Sequence, residues 1–96
     1  MLGLCARAGK AKSGEFAAEK AVKEGKAFLV ILAKDSSFNT KKKFKDICSF
    51  RGIPVKEYSS KEELGRSIGK EYRSMVAVTD KGLSEAIIRK MKEVDM

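Results

Sequence analysis

The residues richest in chemistry lie close together near the N-terminus: Lys10, Lys12, Ser13, Gly14, Glu15, Phe16 and Lys20. A helix is expected to begin beside Gly14. A helix start offers unpaired backbone N–H groups and the positive end of the helix dipole, so lysines and amides grouped there suit a phosphate or a polar base edge. The same residues also have a plainer reading, in which Ser13 caps the helix, Phe16 packs into the core and the lysines are solvated. For Phe16 the core is the expectation. A second basic run, Lys41, Lys42 and Lys43, falls near the start of another expected helix. Cations there oppose the dipole by roughly a few tenths of a kcal/mol each. A bound anion would account for them, and so would a solvated face.

Other chemistry is missing. The chain has no histidine, which removes the commonest general base, the commonest metal ligand and every His-dependent triad. A phosphate-loop motif fails, because five residues separate Gly3 from Gly9-Lys10 and Ala11 stands where Ser or Thr would bind magnesium. Asp35, Asp46, Glu62 and Glu63 are better explained by capping and surface roles than by acid–base catalysis. Cys5 and Cys48 have no spaced partners and read as small buried hydrophobes of a reducing compartment. No enzymatic activity, cofactor or metal is expected.

The elements that must position these residues follow from composition and period. With 96 residues, 43% apolar and 35% charged, the chain is expected to form one soluble domain over residues 1–96. No apolar run reaches membrane-spanning length. No charged leader followed by an apolar stretch opens the chain, so neither a signal peptide nor membrane partnership is expected. Lysine and arginine number 21 against 13 acidic residues, a net charge of +8. Residues 1–56 hold thirteen basic and five acidic residues, whereas residues 57–96 are balanced at eight each. A one-sided excess favours a polyanion partner; a basic surface kept for solubility is the alternative.

A short helix is expected over Leu2–Ala8, with Leu2, Cys5 and Ala6 inward and Gly9 ending it. Lys10–Ser13 is a basic link or edge strand. Ala17, Ala18, Ala21 and Val22 recur at helical spacing up to Gly25, and Phe28–Ala33 is a continuous apolar run fit for a strand buried on both faces. A third helix spans about Phe38–Arg51, with Phe44, Ile47, Cys48 and Arg51 on one stripe. Ile53–Tyr58 is a short strand. Ser59…Glu62 and Ser60…Glu63 both fit a capping box for a helix over Lys61–Ile68. Gly65 inside that helix either admits a neighbouring backbone or weakens it. Ser74–Thr79 is a second buried strand, Asp80–Gly82 a turn, and Leu83, Ala86, Ile87, Lys90, Met91 and Val94 mark a final helix. Strands alternating with helices imply an α/β fold, a three-layer α/β/α sandwich around a mixed central sheet.

Several phrases together, LGLCARAGK, SGE, LVILAKDSS leading to NTKKK, and LGRSIGK before VAVTDKG, resemble the L-seven-Ae ribosomal-protein superfamily, and more closely its bacterial YlxQ-like branch. The resemblance covers nearly the whole chain. It implies the same three-layer fold, a cytoplasmic protein without enzymatic activity, and binding of structured RNA of the kink-turn type. In better-known members a Gly-x-Asn-Glu helix start reads tandem sheared G·A pairs, beside a loop between a strand and the LG-containing helix. By position, the helix start corresponds to Gly14, Glu15, Phe16 and Ala17, followed by Lys20. The loop corresponds to Tyr58, Ser59, Ser60 and Lys61, then Leu64, Gly65 and Arg66. Phe16 and Ala17 stand where Asn and Glu would be, and neither side chain can hydrogen-bond a base.

Two functions are therefore carried forward. One is an RNA-binding accessory protein of translation, gripping structured RNA, ribosomal RNA among the candidates, through Lys10, Lys12, Lys20 and Lys41–Lys43 beside the Ser59–Arg66 segment, with a ribosomal or translation-factor protein as a further partner. The other is a protein-interaction module that keeps the fold and has lost specific RNA readout; an exposed Phe16 would favour it by offering an apolar anchor.

Overall fold

The structure, a computed structural model, describes residues 2–95, with side chains through Lys92. In chain order its elements are α1 (Leu2–Arg7), β1 (Ala11–Ser13), α2 (Glu15–Lys23), β2 (Leu29–Leu32), α3 (Phe38–Arg51), β3 (Val55–Glu57), α4 (Lys61–Ser67), β4 (Met75–Val78) and α5 (Lys81–Asp95). The strands form one sheet in the order β1-β4-β2-β3. Strand β4 runs antiparallel to both neighbours, and β2 pairs in parallel with β3. Helix α3 supplies the crossover that a parallel pair needs.

Why β2 and β4 are apolar at every position follows from the layering. Leu29, Ile31, Ala33, Val76 and Val78 pack with Leu2 and Cys5 of α1, Leu64 of α4 and Ile87 of α5. Val30, Leu32, Met75 and Ala77 face the other way, onto Ala18 and Val22 of α2 and Phe44 and Cys48 of α3. Successive residues of a strand point to opposite faces, so a strand covered on both sides must be apolar throughout. Each buried Val, Leu, Ile, Phe or Met side chain contributes about 1.5–3 kcal/mol. The result is the expected α/β/α sandwich with a mixed sheet. Cys5 and Cys48 are both free and buried, and they sit on opposite faces of the sheet.

Helix α3, with 14 residues, is roughly 21 Å long and outruns its short strands. Cys48 in its last turn is still buried against the sheet, whereas Arg51, expected on the same stripe, stands at the helix end and is exposed. Phe28 precedes the β2 ladder and is 42% exposed, not buried with the strand. In α5 the inward residues are Leu83, Ile87, Ile88 and Met91. Lys90 is exposed, as desolvating an unpaired ammonium would require, and the side chain of Val94 lies outside the described residues. The turn expected at Asp80–Gly82 is the first turn of α5 instead, because Asp80 Oδ1 accepts from the Leu83 N–H at 2.8 Å and caps the helix.

Gly65 has a definite structural task. A Cβ there would stand 1.7 Å from the Glu71 carbonyl oxygen. The segment after α4 crosses directly over it, with the Lys70 N–H donating to the Gly65 carbonyl (2.8 Å) and the Arg73 N–H to that of Lys61 (3.1 Å). Of the two sequence readings, close backbone approach is the one realised.

Candidate functional site

The C-terminal ends of β1, β2 and β3 and the start of β4 share one end of the sheet, as the pairing directions require. A row of hydrogen bonds ties that end together. The Gly14 N–H donates to the Met75 carbonyl at 3.1 Å, and the Ala33 N–H donates to Ser74 at 2.9 Å. Ser36 Oγ donates to the same Ser74 carbonyl. The Lys34 N–H donates to Ser59 at 2.8 Å, and Asp35 Oδ1 accepts from the Lys61 N–H at 2.8 Å. Gly14 and the Ser59–Lys61 turn are thus held at the same end, three strand spacings or roughly 14 Å apart. Helices α2, α3 and α4 all begin there.

Their starts differ. Ser37 caps α3 by accepting from the Thr40 N–H, and Ser60 caps α4 by accepting from the Glu63 N–H at 3.1 Å. Ser60, not Ser59, is therefore the N-cap, and Glu63 accepts from the Ser59 hydroxyl instead of closing a capping box. Helix α2 starts at Gly14, with φ of 88°, and has no side-chain cap. Ser13, expected to cap it, is the last residue of β1, and its hydroxyl accepts from Arg73 Nε at 3.1 Å. A serine held in the ladder cannot also turn back onto the helix amides. The space around Gly14 is open, so the first-turn amides of α2 are left for a ligand or water. Ser59 adopts φ of 63°, the only non-glycine in the left-handed region among the described residues. Its hydroxyl donates to Glu63 at 2.6 Å, which helps hold a conformation that L-residues resist.

The lysines divide into paired and open. Lys43 bridges Glu19 (2.7 Å) and Glu15 (3.3 Å), and Glu19 also pairs with Lys23. Lys41 and Lys45 both hold Glu57, at 2.9 and 2.8 Å, and Lys41 donates to the Lys34 carbonyl. Hydrogen bonds from Lys23 and Lys43 bring Glu19 down to about 2, and those from Lys45 and Lys41 do the same for Glu57. Glu19 foremost, and then Glu15, hold the Lys43 ammonium above its ordinary value. Two members of the Lys41–Lys43 run therefore pin α3 to α2 and β3, and Lys42 is left exposed. Lys12 and Lys20 are exposed and have no carboxylate partner among the described residues. Lys10 lies at the far end of β1, where its carbonyl accepts from Thr79, and is separated from the Gly14 end. Arg66 pairs with Glu62 at 2.8 Å. Gly65, expected among the binding residues, is buried under the Lys70–Arg73 crossing.

Phe16 is 84% exposed, against the expectation of a core residue. The residues that pack are Ala18, Ala21 and Val22, and Phe16 lies about 200° round the helix from Ala18. Arg73 is the residue that sequence reasoning missed. Its approach to Ser13 spans 60 positions and depends on the β1–β4 pairing, which no local pattern reports.

Known proteins share this fold. Residues 1–88 match the ribosomal protein L7Ae/L30e/S12e/Gadd45 family. The RNA-binding protein YlxQ of Bacillus subtilis is 47% identical over 88 residues, covering 92% of this chain and 88% of that protein. The RNA-binding protein YlxQ of Enterococcus faecium is 38% identical over 85 residues, covering 88% and 82%. Among solved structures, a protein of unknown function from Bacillus halodurans superposes with a TM-score of 0.89 at 43% identity, covering 92% of this chain and 89% of that one. A Giardia lamblia 15.5kD RNA binding protein superposes with a TM-score of 0.82 at 25% identity, covering 98% and 81%. A match over most of the chain, on a sheet with this strand order and these helix starts, leaves one conclusion: the chain belongs to the ribosomal protein L7Ae/L30e/S12e/Gadd45 family.

Proposed function

We propose that the chain, acting as one non-catalytic domain, binds structured RNA at the sheet end where α2, α3 and α4 begin. The observation that carries this reading is the open, uncapped start of α2 at Gly14 with Lys12, Lys20 and Arg73 around it. The first-turn amides and the ammonium groups of Lys12 and Lys20 suit phosphate and base edges, and Arg73, held by Ser13, adds positive charge beside them. Relatives bearing the name RNA-binding protein support it. The proposal extends to a cytoplasmic accessory role in translation, beside ribosomal or translation-factor proteins, and to bent RNA of the kink-turn kind. Amide mapping by NMR with a kink-turn RNA tests it. Shifts centred on Gly14–Ala17 and Ser59–Lys61 are expected; shifts confined to the opposite end of the sheet, around Lys10, would relocate the site.

A protein-interaction module is the second reading, favoured by the exposed rings of Phe16, Phe38 and Phe50. An unrelated RNA competing for the whole surface at physiological salt counts against it.

A further inference from the structure

Phe16 and Lys20 form a ridge along α2 with a hollow on either side. The hollow toward β1, about 390 Å³, is lined by Lys12, Ala17, Ala21, Glu24, Lys26 and Thr79 besides the ridge itself. The other is lined by Glu19, Lys23 and Glu24. Charge separates the two. Glu24 is matched by Lys26 at 3.4 Å, so the first hollow keeps Lys12 and Lys20 unneutralised. The second adds only Lys23, which Glu19 already holds at 2.7 Å.

We propose that Phe16 is a stacking platform for an unpaired nucleobase seated in the hollow toward β1, with Lys12 and Lys20 meeting the phosphates that flank it. The proposal rests on the RNA-binding reading and names how that site recognises its ligand. An aromatic face between two cations matches a nucleotide, which joins a π-face to an anion. A protein anchor needs a contiguous apolar patch. Among the described residues Phe16 is the sole large apolar residue lining either hollow, and the other apolar lining is Ala17 and Ala21. The volume admits a base together with its sugar. Gly14, two residues before Phe16 and without a neighbour near its missing Cβ, leaves the strand of RNA room to turn past the helix start. Recognition by the face of a base takes the place of edge reading, for which Phe16 and Ala17 have no hydrogen-bonding atoms.

The test is a fluorescence titration of the whole chain against two hairpin RNAs. One carries a single bulged 2-aminopurine, and the other an abasic site at the same position. Wild type is compared with Phe16→Leu and Phe16→Tyr, both accommodated at an exposed position. Wild type is expected to bind the bulged RNA and alter its 2-aminopurine emission. Phe16→Leu should weaken that binding about tenfold, leave the abasic RNA unaffected, and be rescued by Phe16→Tyr. Equal weakening on both RNAs, or no change on either, overturns the stacking role while RNA binding stands. Wild type binding neither RNA at low salt overturns the RNA reading itself and leaves Phe16 as a protein anchor.

Discussion

Gly65 shows how one residue can serve the site without touching a ligand. Its missing side chain lets the Glu71 backbone lie where a Cβ would stand, and the chain then delivers Arg73 to Ser13. Gly65→Ala is expected to destabilise the protein by at least about 3 kcal/mol, the upper part of the overpacking range, because the obstruction is backbone. Denaturant unfolding checks this; a loss below about 1 kcal/mol, or the gain of about 1 kcal/mol that helix propensity alone would give, would contradict it. The cysteines are sealed. Burial pushes Cys48 up to about 11 and raises Cys5 as well. Native protein is expected to resist a disulfide reagent near neutral pH, with labelling only on unfolding; fast labelling of either thiol would show an opening the fold does not allow. The exposure of Phe16 was legible in principle, since it sits off the Ala18–Ala21–Val22 stripe. What misled was residue type: a lone phenylalanine suggests core, but position on the helix decides.

Among elements, the contact between α2 and α3 and that between α3 and β3 are each locked by a carboxylate shared between lysines. Glu19 and Glu57 both titrate near 2 in the folded chain, from a reference of 4.5. Their contribution is present above about pH 4.5 and is lost as pH falls toward 2. Solvent screening keeps it modest. The melting temperature should fall across that window, and fall less steeply in a Glu19→Gln, Glu57→Gln double variant. An unchanged acid slope would show that the pairs contribute nothing. The elements were largely legible, because helical period, glycine stops and fully apolar strands are local signals. The strand order was not. The antiparallel insertion of β4 between β1 and β2 is a tertiary choice, and it sets Arg73, just before β4, beside Ser13 at the end of β1.

At the scale of the whole molecule, the excess positive charge of residues 1–56 is partly spent internally: Lys41, Lys43 and Lys45 hold the layers together. Lys12 and Lys20 remain for a polyanion. Replacing both with alanine is expected to lower the slope of log affinity against log salt by about two units, and an unchanged slope would place the phosphates elsewhere. The most direct measurement compares affinity for an RNA duplex interrupted by a kink-turn with that for a plain duplex of equal length, at low and physiological salt. A preference of at least tenfold, about 1.4 kcal/mol, that persists at physiological salt is the predicted result. Equal, salt-sensitive binding to both RNAs, or binding to neither, would contradict recognition of structured RNA at the α2 start.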